Sequence, residues 1–320
     1  MQALALPLIL LVVATAQAGS VFPDSPFSSR AAGTTGAAFL KLARPARSEA
    51  LGGAFAADSE GADALLTNPA GLTSLQSGAP SDLSFAYNNL LESSYLGYGS
   101  YGRSLGRFGT VAAGVIYFSQ APLTGYNARG DASGSFQPYD VALSMAYARQ
   151  FEGFAVGAAA KMIRSSIDDV SGMSAALDVG VQAKDVSRVG EGAVDAGASF
   201  SNLGPPLKVG GVAAPLPFAL TGGFLWHATP AFNAMLDVNL PSDNDPYVSF
   251  GLQAQLWSDR EKRALCLRVG YNQSHGRDID GLTGLTAGAG FDLVGFRLDY
   301  AWDPYGDLGM QNRVTLAFRF

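Results

Sequence analysis

Charge is what this sequence has least of. Only 15% of its 320 residues are Asp, Glu, Lys or Arg, while 48% are apolar; a water-soluble domain usually carries about 25% charged residues. The shortfall implies that much of the surface faces something other than water. Basic residues are the scarcer sign, 21 against 27 acidic, for a net charge of −6. That excludes the basic footprint nucleic acid requires. Cysteine is nearly absent. Cys266 alone permits no internal disulfide, and it lies too deep in the chain to be an N-terminal lipid anchor. A lone cysteine in an exported chain reads as a small buried residue.

Histidine is limited to His227 and His275, neither at metal-ligand spacing from Cys or carboxylates. His227, beside Trp226, reads as a membrane-interface residue, and His275 as a solvated loop residue. The loop acids Asp168-Asp169, Asp243/Asp245 and Asp278/Asp280 also read as solvated, with cation binding the less favoured alternative. No G-x-S-x-G elbow, P-loop or dinucleotide fingerprint is present. The expectation is a protein that is not an enzyme and carries no cofactor or metal.

Long hydrophobic runs are missing too. Leu4 to Ala16 is apolar but too short for a spanning helix, which needs about 20 residues. Followed by the small-x-small site Ala16-Gln17-Ala18, it reads as a secretory signal peptide, residues 1–18, although Met1-Gln2-Ala3 lacks the usual basic residue. Beyond it, no apolar run approaches a spanning length. If the mature chain sits in a membrane, it does so as a closed barrel.

What is present is alternation. In Val294-Gly295-Phe296-Arg297-Leu298-Asp299-Tyr300-Ala301-Trp302, large apolar residues alternate with small or charged ones. A strand puts these on opposite faces. The same pattern runs through 177–182, 194–201, 232–239, 248–256 and 265–272. Many of these runs reach the about 9–11 residues that a tilted transmembrane strand needs. Strands are predicted near 83–89, 94–104, 108–118, 140–150, 154–164, 174–184, 193–202, 217–227, 231–240, 247–257, 264–273, 282–291, 294–302 and 313–320.

Short turns then alternate with longer links, as in outer-membrane barrels; only 184–193 is long where a short turn is due. The expected fold is all-β: a transmembrane antiparallel β-barrel of about fourteen strands over 81–320, its apolar face toward lipid and lipopolysaccharide. A soluble all-β protein is the alternative. The lumen face is expected to tolerate substitution. Its small residues Gly284, Gly288 and Gly290 would leave room for a ligand. The last strand, Arg313 to Phe320, places Val314, Leu316, Phe318 and Phe320 on one face. Phe318 and the terminal Phe320 look like the signal that barrel-assembly machinery reads.

Residues 19–80 do not alternate. A barrel this wide needs filling, because about eight strands already leave only a side-chain-sized interior. This segment is the expected hatch, lying in the lumen or capping its rim. Gly52-Gly53 permits close approach or positive φ, Asn68-Pro69 favours a turn, and Gly71 can adopt a left-handed conformation. Glu49, Asp58, Glu60 and Asp63 fall near Lys41, Arg44 and Arg47 and offer pairs to polar lumen residues.

Three stretches carry a resemblance: Gly33-Thr34-Thr35-Gly36-Ala37-Ala38-Phe39-Leu40-Lys41, Ala46-Arg47-Ser48-Glu49-Ala50-Leu51-Gly52-Gly53-Ala54-Phe55 and Asn68-Pro69-Ala70-Gly71-Leu72. With Asn202-Leu203-Gly204-Pro205-Pro206, Pro215-Leu216-Pro217 and the Arg313–Phe320 ending, the chain resembles the PorV/PorQ family of outer-membrane proteins, within the FadL-like group. The resemblance implies a fourteen-stranded barrel with its N-terminal segment folded inside. It implies gating around Gly52, Gly53, Asn68, Pro69, Ala70 and Gly71. It leaves two functions open: passive transport of hydrophobic or amphipathic small molecules, and a partner role in type IX secretion. A purely structural barrel is the third.

Overall fold

A computed structural model describes residues 20–91, 93–258, 263–276 and 280–320. The signal segment, its cleavage site and Asp278 lie outside the described residues. The strands in chain order are β1 (Ser81–Asn89), β2 (Ser94–Ser104), β3 (Thr110–Gln120), β4 (Leu123–Tyr126), β5 (Ala132–Phe136), β6 (Tyr139–Gln150), β7 (Phe154–Ile167), β8 (Val170–Val189) and β9 (Gly192–Leu203). Then come β10 (Leu207–Val209), β11 (Val212–Ala214), β12 (Ala219–Thr229), β13 (Phe232–Pro241), β14 (Tyr247–Ser258), β15 (Ala264–Asn272), β16 (Leu285–Leu293), β17 (Phe296–Pro304) and β18 (Met310–Arg319).

Fourteen of them, β1–β3, β6–β9 and β12–β18, form one closed antiparallel barrel. The seam is β1 on β18, with Ser84 opposite Ala317. Closure leaves no unpaired edge, the condition for crossing a bilayer with strands. Among the described residues no helix is long and apolar enough to cross.

Alternation decides what each face meets. In β17, Arg297, Asp299, Ala301 and Asp303 are buried while Leu298 and Tyr300 are exposed. In β15, Cys266, Arg268 and Asn272 are buried while Leu267, Val269 and Tyr271 are exposed. Large apolar residues outside and charged residues inside invert the order of a water-soluble protein and match a lipid-facing barrel. Tyr87, Tyr95, Tyr117 and Tyr139 step across four neighbouring strands with ring centroids 6.1–6.4 Å apart. Such a row suits the level of the lipid headgroups.

The two rims differ. On one, turns are short, as at 151–153, 190–191 and 294–295. The chain ends of the barrel close there too, with Ser81 N–H donating to the Phe320 carbonyl at 3.0 Å and Phe320 N–H to that of Ser81 at 3.0 Å. The 184–193 link is no exception. Strand β8 runs on to Val189, with a register shift between Ala183 and Ser187, and leaves a two-residue turn. The other rim carries the longer connections. Two of these are hairpins in their own right, β4–β5 and β10–β11, which no alternation announced. The β7–β8 turn, Asp168-Asp169, is short despite lying on this rim.

Candidate functional site: the filled lumen

Residues 20–80 thread the barrel from one rim to the other. Near the long-loop rim, Phe27 N–H donates to the Ser242 carbonyl and Gly36 N–H to that of Pro215. Ser29 N–H donates to Asp245 Oδ1 at 2.8 Å, and Asp243 receives both Thr35 Oγ1 and Lys41 Nζ at 2.6 Å. Asp243 is thus buried and engaged rather than solvated, because the segment arrives where loop sequence alone suggested open water. At the short-turn rim, Ala62 N–H donates to Asp82 Oδ2 at 3.1 Å.

Between these ends the segment meets the wall on all sides. Its one short helix, α1 (Ala46–Ala50), packs on β15–β18. The 3-10 turns Ala62–Leu66 and Pro69–Gln76 pack on β1–β3 and β6–β8. Extended and 3-10 backbone exposes many N–H and C=O groups, and burial demands partners for them. Wall side chains supply them. Asp237 Oδ2 accepts from Phe55 N–H at 2.8 Å and Ala56 N–H at 2.9 Å. Thr315 Oγ1 accepts from Ala46 N–H at 2.9 Å.

The predicted hatch residues are further anchors. Gly52 has φ +67°, and a Cβ there would lie 2.5 Å from the Tyr271 carbonyl oxygen. Its N–H donates to Thr286 Oγ1 at 3.0 Å and its carbonyl accepts from Asn272 Nδ2 at 2.9 Å. Gly53, also at positive φ, sits against Arg44. Asn68 is fully buried. Its Oδ1 accepts from Ala70 N–H at 3.2 Å, capping the Pro69 turn, while Nδ2 donates to the Ala56 carbonyl at 2.8 Å and the Val181 carbonyl at 3.1 Å. Gly71 is not left-handed as expected. It lies inside the 3-10 turn, where a Cβ would meet the Ser59 carbonyl at 2.2 Å. Close approach, not handedness, requires glycine there.

Wall glycines serve the same packing. A Cβ on Gly157 would strike Pro69 backbone at 2.3 Å, and one on Gly288 would meet Ala50 at 2.5 Å. Gly290 faces the guanidinium of Arg268, and Gly284 is a turn residue at φ +76°. The expected ligand space beside Gly284, Gly288 and Gly290 is therefore occupied by protein.

Charges divide the lumen. Facing β15–β18, Glu60 Oε1 lies 2.7 Å from Arg297, 3.2 Å from Arg319 and 2.5 Å from Arg47. Arg47 also holds Asp58 at 2.7 Å, and Arg297 reaches Asp63 at 3.3 Å and Asp299 at 3.0 Å. Burial opposes the charge on Glu60, but the guanidinium groups of Arg47, Arg319 and Arg297 outweigh it and hold the carboxyl well below its ordinary range. The expected pairing of hatch acids with lumen groups is thus found, with arginines of β17 and β18 as partners. Arg297 is therefore an engaged lumen position, paired with three carboxylates.

Across the lumen an apolar cluster joins the segment to the wall. Phe39, Leu40 and Ala43 pack with Leu96, Ile116, Ile163 and Leu207. Between hatch and wall, toward the long-loop rim, lies a cavity of about 290 Å³ bordered by Lys41, Arg44, Lys161, Asn202, Tyr247 and Arg313.

The two histidines depart from expectation. His227 alternates with the outward Trp226 and so turns inward, its ring nitrogens 3.2 Å from Asp195 and 3.1 Å from Asn233. His275 is half-buried, 3.2 Å from Asp303 Oδ2 and 3.5 Å from Tyr305 Oη. Cys266 is buried, as read. Phe318 and Phe320 lie on the exposed outer face at the barrel seam.

No protein-family model and no curated protein matches this sequence. Solved structures do. The chain is similar to the toluene transporter TbuX of Ralstonia pickettii, with a TM-score of 0.59, 14% identity, and 86% of this chain covered against 98% of that one. It is similar to the toluene transporter TodX of Pseudomonas putida at TM-score 0.54 and 12% identity, covering 85% and 96%. A FadL homologue of Pseudomonas aeruginosa matches at TM-score 0.50 and 8% identity, covering 87% and 98%. At such identities the likeness is one of fold: a FadL-like barrel of the outer-membrane type.

Proposed function

We propose that the chain is a passive channel of the bacterial outer membrane for hydrophobic or amphipathic small molecules, gated by its N-terminal segment. One observation carries the reading. The hatch leaves a cavity lined by charged groups of both signs and hydroxyls, directly beside an apolar cluster that it covers itself. A polar-headed apolar molecule matches that juxtaposition, and withdrawal of Phe39 and Leu40 would uncover Ile116 and Ile163 as its path. The toluene transporters of the same fold support the substrate class. In this reading residues 1–18 export the chain, the short-turn rim faces the periplasm, and Phe318 and Phe320 guide assembly.

The membrane reading is tested by fractionation. Outer-membrane recovery with heat-modifiable gel migration is expected, and recovery as a soluble periplasmic protein overturns it. The gate is tested by single-channel current in planar bilayers together with uptake of a hydrophobic probe. Intact protein should conduct weakly and a chain lacking residues 33–72 strongly. Weak conductance in both forms removes the gate. Strong conductance with unchanged uptake favours the type IX partner role. The PorV/PorQ-like motifs do not choose between the two, since Gly52, Asn68 and Gly71 serve to seat the hatch.

A further inference from the structure

Three chain segments that are remote in sequence meet beside the cavity. Glu49 comes from α1 of the hatch, His275 from the β15–β16 connection and Asp303 from the end of β17. Each offers one ligand atom, and these atoms all lie within 4.8 Å of one another. His275 Nδ1 stands 3.2 Å from Asp303 Oδ2. Glu49 is 3% exposed and Asp303 1%, and apart from the His275 ring Asp303 Oδ2 receives no hydrogen bond. Two buried carboxyl groups with so few donors are costly to hold ionised. Two buried carboxylates crowding one imidazole form an arrangement that a bound cation would stabilise.

The donor set narrows the ion. One imidazole nitrogen with carboxylate oxygens suits a first-row divalent cation such as Zn²⁺, with bonds of about 2.0–2.2 Å. Ca²⁺ and Mg²⁺ favour all-oxygen sites. Glu49 and His275 both border the cavity, which gives an entry path and space for a completing water. Arg313 stands 3.5 Å from Glu49 Oε2 and tempers affinity, but its guanidinium also donates to the Leu42 carbonyl at 2.7 Å.

We propose that Glu49, His275 and Asp303 form a site for one divalent first-row cation, Zn²⁺ in preference to Ca²⁺ or Mg²⁺, which ties the hatch to the barrel wall. The site stands apart from the transport reading, because its test measures cation binding alone.

The experiment uses the full folded barrel in detergent, stripped by a chelator and titrated with Zn²⁺ by calorimetry, with metal content measured after gel filtration. One Zn²⁺ per chain is expected. His275→Ala should weaken it about 10-fold or more, as should Asp303→Asn, while His227→Ala leaves it unchanged. No binding by the parent protein overturns the site. So does binding that survives His275→Ala, loss on His227→Ala, or equal affinity for Mg²⁺. Heat-modifiable migration checks the fold of each variant. If Asp303→Asn does not assemble, the loop variant His275→Ala decides alone.

Discussion

The hatch has two unlike halves. Residues 20–45 are held chiefly by the connections of the long-loop rim, through Ser242, Asp243, Asp245 and Pro215, and by apolar contact of Phe39 and Leu40. Residues 46–76 are held by the strands themselves, through Thr315, Thr286, Asp237, Asp82 and Arg297. Strand backbones are fixed by pairing on both sides, whereas loops rank among the least stable parts of a fold. The difference teaches where motion belongs. Under the proposed gating, the second half would be the fixture of the wall and the first half the part whose release opens a path.

The sharpest way to break that comparison is with two glycines. Gly52→Ala meets both a handedness penalty of about 1–2 kcal/mol and overpacking against Tyr271 backbone of about 1–3 kcal/mol. Gly33→Ala, at φ +75° with nothing within 4 Å of a Cβ, meets only the first. The heat-modification midpoint should therefore fall much further for Gly52→Ala. Equal shifts would mean the halves are equally loose.

Arg297→Leu comes next, set against Leu298→Arg. A lipid-facing cation costs about 2–4 kcal/mol near the membrane midplane. But Arg297 serves Glu60, Asp63 and Asp299 together. Breaking a buried pair costs about 3–5 kcal/mol. The two variants should fail at different steps. Leu298→Arg should reduce insertion yield, and Arg297→Leu should insert but leak. A well-inserted, tight Arg297→Leu barrel would show the ion cluster to be dispensable.

Asn68→Ala should cost about 1–3 kcal/mol, by removing the donor shared by the Ala56 and Val181 carbonyls and the acceptor of the Ala70 N–H. Its measurable sign is a raised basal current from an assembled barrel. Glu60 adds a pH signature. Its folded pKa is depressed below the ordinary 4.5, so its stabilisation is fully present above pH 4.5 and is lost as pH falls through the folded value. Glu60→Gln should flatten the acid limb of the stability profile below pH 4.5. An unchanged limb would assign acid sensitivity to other groups.

Much of this architecture was legible because period two is a local signal. Each of the fourteen strands lies within a few residues of its predicted place, and Arg297 against Leu298 assigned the faces correctly. The hatch was legible only as the absence of alternation. What it touches was not, since Gly52 meets Tyr271 and Asn68 meets Val181 across separations that no spacing rule spans. Hence Gly288 and Gly290 read as empty space although Ala50 and the Arg268 guanidinium fill it, and Gly284 is a turn residue. His275 likewise read as solvated because Glu49 and Asp303 reach it only through the closed barrel.

The smallest expected effect tests the loose half directly. Lys41 bonds Asp243 at 2.6 Å, but its side chain is 44% exposed. Pairs of that kind contribute about 0–1 kcal/mol. Lys41→Ala should therefore leave assembly and the heat-modification midpoint nearly unchanged, and Asp243 keeps the Thr35 hydroxyl at 2.6 Å. If residues 20–45 move, even about 0.5 kcal/mol shifts a closed–open equilibrium roughly twofold, since about 1.4 kcal/mol is tenfold. Brief openings should then become about twice as frequent in Lys41→Ala at low salt. High salt screens the partly exposed Lys41 charge, so the difference from the parent protein should shrink toward 1 M. A salt-independent leak as large as that of Asn68→Ala would place Lys41 among the fixed anchors and erase the division between the halves.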